Sequence, residues 1–144
     1  MTEARRRWMG VLARAGAGEI EARLEATPLP AHTRLRGPET GLVMVRGRAG
    51  GDGAPFNLGE MTVTRCAVRL ADGAVGHAYR AGRDARAAEL SAVLDAALQD
   101  PARRGALLDG VIAPLAEAQE AARQVQARKA AATRVQFFTM ANMR

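Results

Sequence analysis

Side chains that commonly carry chemistry are scarce in this 144-residue chain. It holds one cysteine, Cys66, two histidines, His32 and His77, and five aromatic residues: Trp8, Phe56, Tyr79, Phe137 and Phe138. A lone cysteine excludes an intrachain disulfide and a thiolate metal cluster. The two histidines lie far apart and lack ligand spacing, so no metal site is expected. No apolar run approaches the roughly 20 residues needed to cross a membrane. The opening MTEARRRWMG is basic but is followed by no apolar h-region, so it does not read as a secretory signal, and the cytoplasm is the expected compartment.

What is present suits one globular domain over residues 1–144. The chain is 48% hydrophobic and 25% charged, and with few aromatics its core must be built from Leu, Val, Ile and Ala. Its net charge of +6 favours anionic partners: nucleic acid, nucleotides or an acidic protein face. The charge is arginine-dominated, with Lys129 the only lysine, and it is spread along the chain. Neither a stacking platform nor a recognition motif accompanies it, so no nucleic-acid partner is expected.

The hydrophobic period changes twice. Residues 3–26 read as helix in two pieces, with Trp8, Val11, Leu12 and Ala15 on one face and AGAG at 15–18 as the break. Pro28 and Pro30 end this region. Residues 31–81 take a period of two. Leu42–Val45 reads as a short apolar strand, and residues 47–60 as a Gly-rich connection anchored by Phe56. MTVTRCAVRL, 61–70, alternates, with Thr64, Cys66, Val68 and Leu70 opposite Arg65, Ala67 and Arg69. Asp72-Gly73 marks a hairpin, and Ala74–Ala81 returns as the partner strand. From Asp84 the helical period resumes, with Leu90, Val93, Leu94, Ala97 and Leu98 as an apolar stripe. Asp100-Pro101 starts a short helix, and Pro114 opens a longer one to about Ala132, with acids early and bases late. The expected fold class is α+β: an antiparallel sheet of three to five strands flanked by N-terminal and C-terminal helices.

Four stretches invite a functional reading. In GRDARAAEL, 82–90, Asp84 suits a helix cap and Gly82 a turn; Arg83 then is solvated, pairs with a carboxylate such as Glu89 or Asp95, or faces a phosphate or a partner. GGDG, 50–53, matches no phosphate-binding pattern and reads as a flexible connection. Cys66 has no histidine at recognisable spacing and reads as a small buried hydrophobe, while Arg65 on the opposite face suits docking or an anion. The tail VQFFTM places Phe137 and Phe138 side by side, with Met140 close behind. If the segment is extended, one phenylalanine can reach the core and the other needs a cover, either from within the monomer or from another subunit, which makes these residues candidates for a subunit interface. An independent enzyme using Arg65, Arg83 and Cys66, and a stand-alone basic module binding a nucleotide or RNA, are the rival readings.

ETGLV (39–43), FNLGEMTVTRCAVRL (56–70), GRD followed by AE (82–89), IAPL (112–115) and VQFFTM (135–140) occur in an order and spacing that resembles the G subunit of bacterial carbon–phosphorus lyase, the PhnG family. RRRWMGVLA (5–13) is similar to that family's start. The resemblance implies a subunit of a core complex that degrades organophosphonates with H, I and J subunits and an ATP-binding-cassette-like partner. The complex would form ribose 1-phosphonate 5-triphosphate from MgATP and a phosphonate, releasing adenine. It also implies nucleosidase chemistry in the I subunit and an iron–sulfur cluster with S-adenosylmethionine in the J subunit. No cofactor is expected on this chain alone, and no catalytic residue carries over to it. Gln136 departs from the acidic residue often found before FFTM. Cys66 stands where other members can have alanine, which argues against a thiol mechanism.

Overall fold

A computed structural model describes residues 2–25 and 27–135. Helices α1 (Glu3–Leu12) and α2 (Ala17–Leu24) come first, followed by the strands β1 (His32–Arg48), β2 (Pro55–Leu70) and β3 (Val75–Ala81). Helix α3 (Ala85–Ala97) crosses back, and α4 (Pro101–Leu107), a π-helical turn (Leu108–Ile112) and α5 (Ala113–Ala132) follow. The strands form an antiparallel meander in the order β1-β2-β3. The α+β class holds, with three strands among the described residues.

Local chemistry accounts for the boundaries. Thr2 caps α1 by accepting from Arg5 N, Asp84 caps α3 by accepting from Ala87 N, and Asp100 caps α4 by accepting from Ala102 N. Gly73 adopts φ +90° in the turn between β2 and β3, where Asp72 Oδ1 accepts from Ala74 N. Pro114 lies just inside α5 and has no N–H to return to the preceding turn. The π-helical widening immediately before it accommodates this loss.

Two expectations needed correction in the sheet. The apolar strand expected at Leu42–Val45 is part of a 17-residue strand. The connection expected over 47–60 shrinks to the turn 49–54, because β1 and β2 continue pairing as far as Arg48 and Pro55. Glycines within 41–59 masked the alternation. Phe56 is 45% exposed and anchors nothing in the core.

The core lies between the sheet and the helices. Cys66, Val68 and Leu70 from β2 meet Leu90, Val93, Leu94 and Leu98 from α3, and Trp8, Leu12 and Ile20 close the other side. Each fully buried Leu or Val contributes roughly 1.5–3 kcal/mol relative to exposure. Helix α3 is more than a one-sided stripe: every residue from Ala87 to Ala97 is buried. Its alanines let neighbours approach closely. A Cβ added at Gly76 of β3 would collide with Ala92 O and stand 2.5 Å from Ala96 N.

Candidate interaction surfaces

Beta strand β3 pairs with β2 only over Val63–Arg69, whereas β1 and β2 stay paired out to Arg48 and Pro55. The sheet therefore extends into a two-stranded arm, about 25 Å long for eight residues per strand. The arm carries Arg46, Arg48, Asn57 and Glu60, but also uncovered apolar side chains: Leu42 is 62% exposed, Met44 61% and Leu58 67%, with Phe56 and Met61 also exposed. A lone two-stranded ribbon is marginal in water, and a contiguous exposed apolar surface is characteristic of interaction sites. Bulges flank the flat stretch Glu39–Val45, with register shifts at Arg36/Glu39 and Val45/Arg46.

On the sheet face away from α3, Glu39, Arg65 and Tyr79 stand in one cross-strand row. Arg65 donates from Nε to Glu39 Oε2 at 3.1 Å, and its Nη2 lies 3.1 Å from the same oxygen. Arg36 Nη1 lies 3.8 Å from it as well. Arg65 thus sits on the solvent face as its alternation with Cys66 requires, but a carboxylate already engages it.

The GRD turn is built for structure at two of its three positions. Gly82 holds φ +87°, and its carbonyl accepts from the buried Thr64 hydroxyl at 2.7 Å. Asp84 Oδ1 accepts from Ala87 N at 2.9 Å, and Oδ2 accepts from Ala17 N, so one carboxylate serves the N-terminal ends of α3 and α2. Arg83 is exposed and makes no ion pair with a described residue. The alternatives of Glu89 and Asp95 as its partners fail, because other cations hold both.

Those two acids are the polar centres of α3. Glu89 receives a two-pronged bond from Arg34, Nε at 2.7 Å and Nη2 at 2.8 Å, and lies 3.2 Å from His32 Nε2. The Arg34 hydrogen bonds hold its carboxyl well below the ordinary range, at about 2. Asp95, wholly buried, accepts from Arg5 Nε and Nη2, Trp8 Nε1 and His77 N. Arg80 is also buried and donates to Ala15 O at 2.7 Å, just beyond the C-terminal end of α1, where the helix dipole favours a cation. Its Nε has no partner among the described residues. Sequence reasoning missed this network. Two acids on an otherwise apolar helix were the available signal, since buried carboxylates require partners.

Cys66 is buried, donates its thiol to Arg36 O at 3.4 Å, and has its pKa pushed up by burial first and by Glu89 second. A concavity of about 930 Å³ is an open groove between α1 and the base of α5, lined by Glu3, Arg6, Arg7, Val11, Arg14 and Ile112 among others. Among the described residues no three His, Cys, Asp or Glu side chains converge as a metal site requires, and no helix is long and apolar enough to cross a membrane. Phe137, Phe138 and Met140 lie outside the described residues.

Comparison with known proteins gives two concordant findings. The profile of the family described as "Phosphonate metabolism protein PhnG" matches residues 3–142. A relative from Rhizobium meliloti (strain 1021), named "Alpha-D-ribose 1-methylphosphonate 5-triphosphate synthase subunit PhnG", is 47% identical over 137 residues, covering 94% of this chain and 87% of that protein.

Proposed function

The chain belongs to the PhnG family of phosphonate metabolism proteins, and from that membership we propose that it is a subunit of the carbon–phosphorus lyase core complex. The complex would act as a transferase, forming ribose 1-phosphonate 5-triphosphate from MgATP and a phosphonate with release of adenine. This chain's part is assembly rather than chemistry. The observation that carries the reading is the apolar β1–β2 arm, with Leu42, Met44 and Leu58 each more than half exposed, in a chain whose one thiol is buried and whose buried carboxylates are all held by cations. Such a surface is stable in solution only when another chain covers it.

The partners that fit are the H, I and J subunits and an ATP-binding-cassette-like protein, all in the cytoplasm. The iron–sulfur cluster and S-adenosylmethionine would belong to the J subunit. Arg83, exposed beside the α3 cap, is the better placed of the two candidate anion contacts, towards a partner or the polyphosphate end of the nucleotide. Arg65, held by Glu39, would have to exchange partners to reach an anion.

Adenine release from MgATP and methylphosphonate tests the reading. The isolated chain is expected to be inactive, and the other subunits without it are expected to assemble poorly and lose turnover. Turnover by the chain alone, abolished in Arg83→Ala, would establish the independent enzyme instead.

A further inference from the structure

Helix α5 is anchored only at its base. Leu115 is its one buried residue, and Gln119 ties it to α1 by donating to Val11 O at 2.9 Å and accepting from Arg14 Nε at 3.1 Å. Every residue from Glu120 to Val135 is exposed. The helix therefore projects about 20 Å past its last contact. Residues 121–135 carry Arg123, Arg128, Lys129 and Arg134 and no carboxylate. Glu120 lies 3.3 Å from Arg123, and the other three cations have no ion pair among the described residues. Cations late in a helix suit its dipole, which accounts for their sign but not for a helix that meets no described residue past Gln119.

At 100° per residue, Lys129 lies on the same side as Ala118, Ala122 and Val125, Arg128 stands about a quarter turn from it, Arg123 faces nearly the opposite way, and Arg134 lies beyond the end of the helix at Ala132. We infer that the exposed length of α5 docks against an acidic surface on another subunit of the synthase, with Val125 and Lys129 at the contact and Arg128 along its edge. A protein surface fits better than nucleic acid, because residues 113–135 contain no aromatic side chain on which bases could stack. The inference rests on the proposed subunit role and adds the docking element and its partner's chemistry.

The test is co-expression of the full chain, wild type or with Arg128→Glu, Lys129→Glu and Arg134→Glu combined, with the other synthase subunits. The measurements are retention of the chain in the purified complex and trypsin cleavage after Arg128 and Lys129. Wild type is expected to be retained and protected there. The triple variant, folded by circular dichroism, should lose retention by about tenfold or more, and a Gln triple by less. Equal retention of wild type and triple variant, with those bonds cut equally fast in the complex and in the free chain, overturns the inference and leaves the subunit role standing. A wild-type chain that never joins the complex defeats the subunit role itself. Retention of RNA by the wild-type chain, lost in the triple variant while assembly is unchanged, assigns the helix to nucleic acid and also overturns the inference.

Discussion

Arg5 grips Asp95 with two parallel hydrogen bonds, Nε to Oδ1 at 3.0 Å and Nη2 to Oδ2 at 2.7 Å, across 90 residues of sequence. The contact joins the first helix to the central one, and Trp8 Nε1 and His77 N complete the carboxylate's shell. Removing it by Asp95→Ala leaves a partly buried guanidinium and two further donors without an acceptor. The expected loss is about 3–5 kcal/mol of unfolding free energy in urea. Asp95→Asn is expected to be nearly as severe, because either amide orientation turns its NH₂ towards two donors. Trp8, the only tryptophan, reports the change directly by its fluorescence. A loss under about 1 kcal/mol for both variants would mean that the shell contributes no more than an ordinary surface pair.

Glu89 supplies a pH dependence of defined sign. Its folded-state carboxyl is pulled from an ordinary 4.5 to about 2, chiefly by Arg34. Below 4.5 the unfolded chain binds a proton that the folded chain resists, so stability is complete above that value and declines as pH falls towards 2. Glu89→Gln removes this titration. Urea midpoints of wild type and Glu89→Gln should converge as pH is lowered through this window. Parallel curves would show that another carboxylate governs acid unfolding.

How much of this was legible beforehand depended on the pattern each element left in the sequence. Periods of two and 3.6 placed residues 61–70 of β2, together with β3, α3 and both N-terminal helices, and Asp-Gly, Asp84 and Asp100 marked their turns and caps correctly. The arm escaped because glycines at 41, 47 and 59 broke the alternation, and because two strands that bury little need no apolar face. The partners of Glu89 and Asp95 escaped because Arg34 and Arg5 lie 55 and 90 residues away, and only the fold brings them close. Arg65 and Arg83 both reach the surface, where sequence places them, but the structure gives them no common partner.

Gly76 tests how closely α3 and β3 are packed. An added methyl there meets Ala92 O and stands 2.8 Å from Ala96 Cβ. Because the obstacle is backbone, relief requires moving the helix, and Gly76→Ala should cost about 3 kcal/mol. Gly10→Ala is the control, since a Cβ there meets nothing within 4 Å. In the interior of α1 it should stabilise by roughly 0.8 kcal/mol. Thermal unfolding of both variants checks the pair, and equal effects would contradict the packing described.

Cys66 should behave as a core side chain. At 2% exposure, and with its thiol pushed towards the protonated form, it should react with an aromatic disulfide reagent only as fast as the protein opens. The rate should rise sharply through the urea transition, and Cys66→Ala should leave turnover of the assembled complex unchanged. Rapid labelling of the folded chain, with loss of that turnover, would restore the thiol as a functional group.

The arm predicts opposite effects on solubility and on assembly. Met44→Glu with Leu58→Glu places charge on two positions that bury little in the isolated chain, 61% and 67% exposed. Because Met44 lies opposite Glu60, the like charges should cost roughly 0.2–1 kcal/mol of folding stability. Self-association of the free chain should fall, because charge on a strand ribbon discourages edge pairing and apolar contact. Incorporation into the complex should fall too, since a buried interface core tolerates an unpaired carboxylate poorly. Sedimentation velocity reads the first effect and co-purification the second. Both are needed: improved solubility with undiminished incorporation would mean that the arm is merely sticky, and the cover for Leu42, Met44 and Leu58 would have to be sought within copies of this chain.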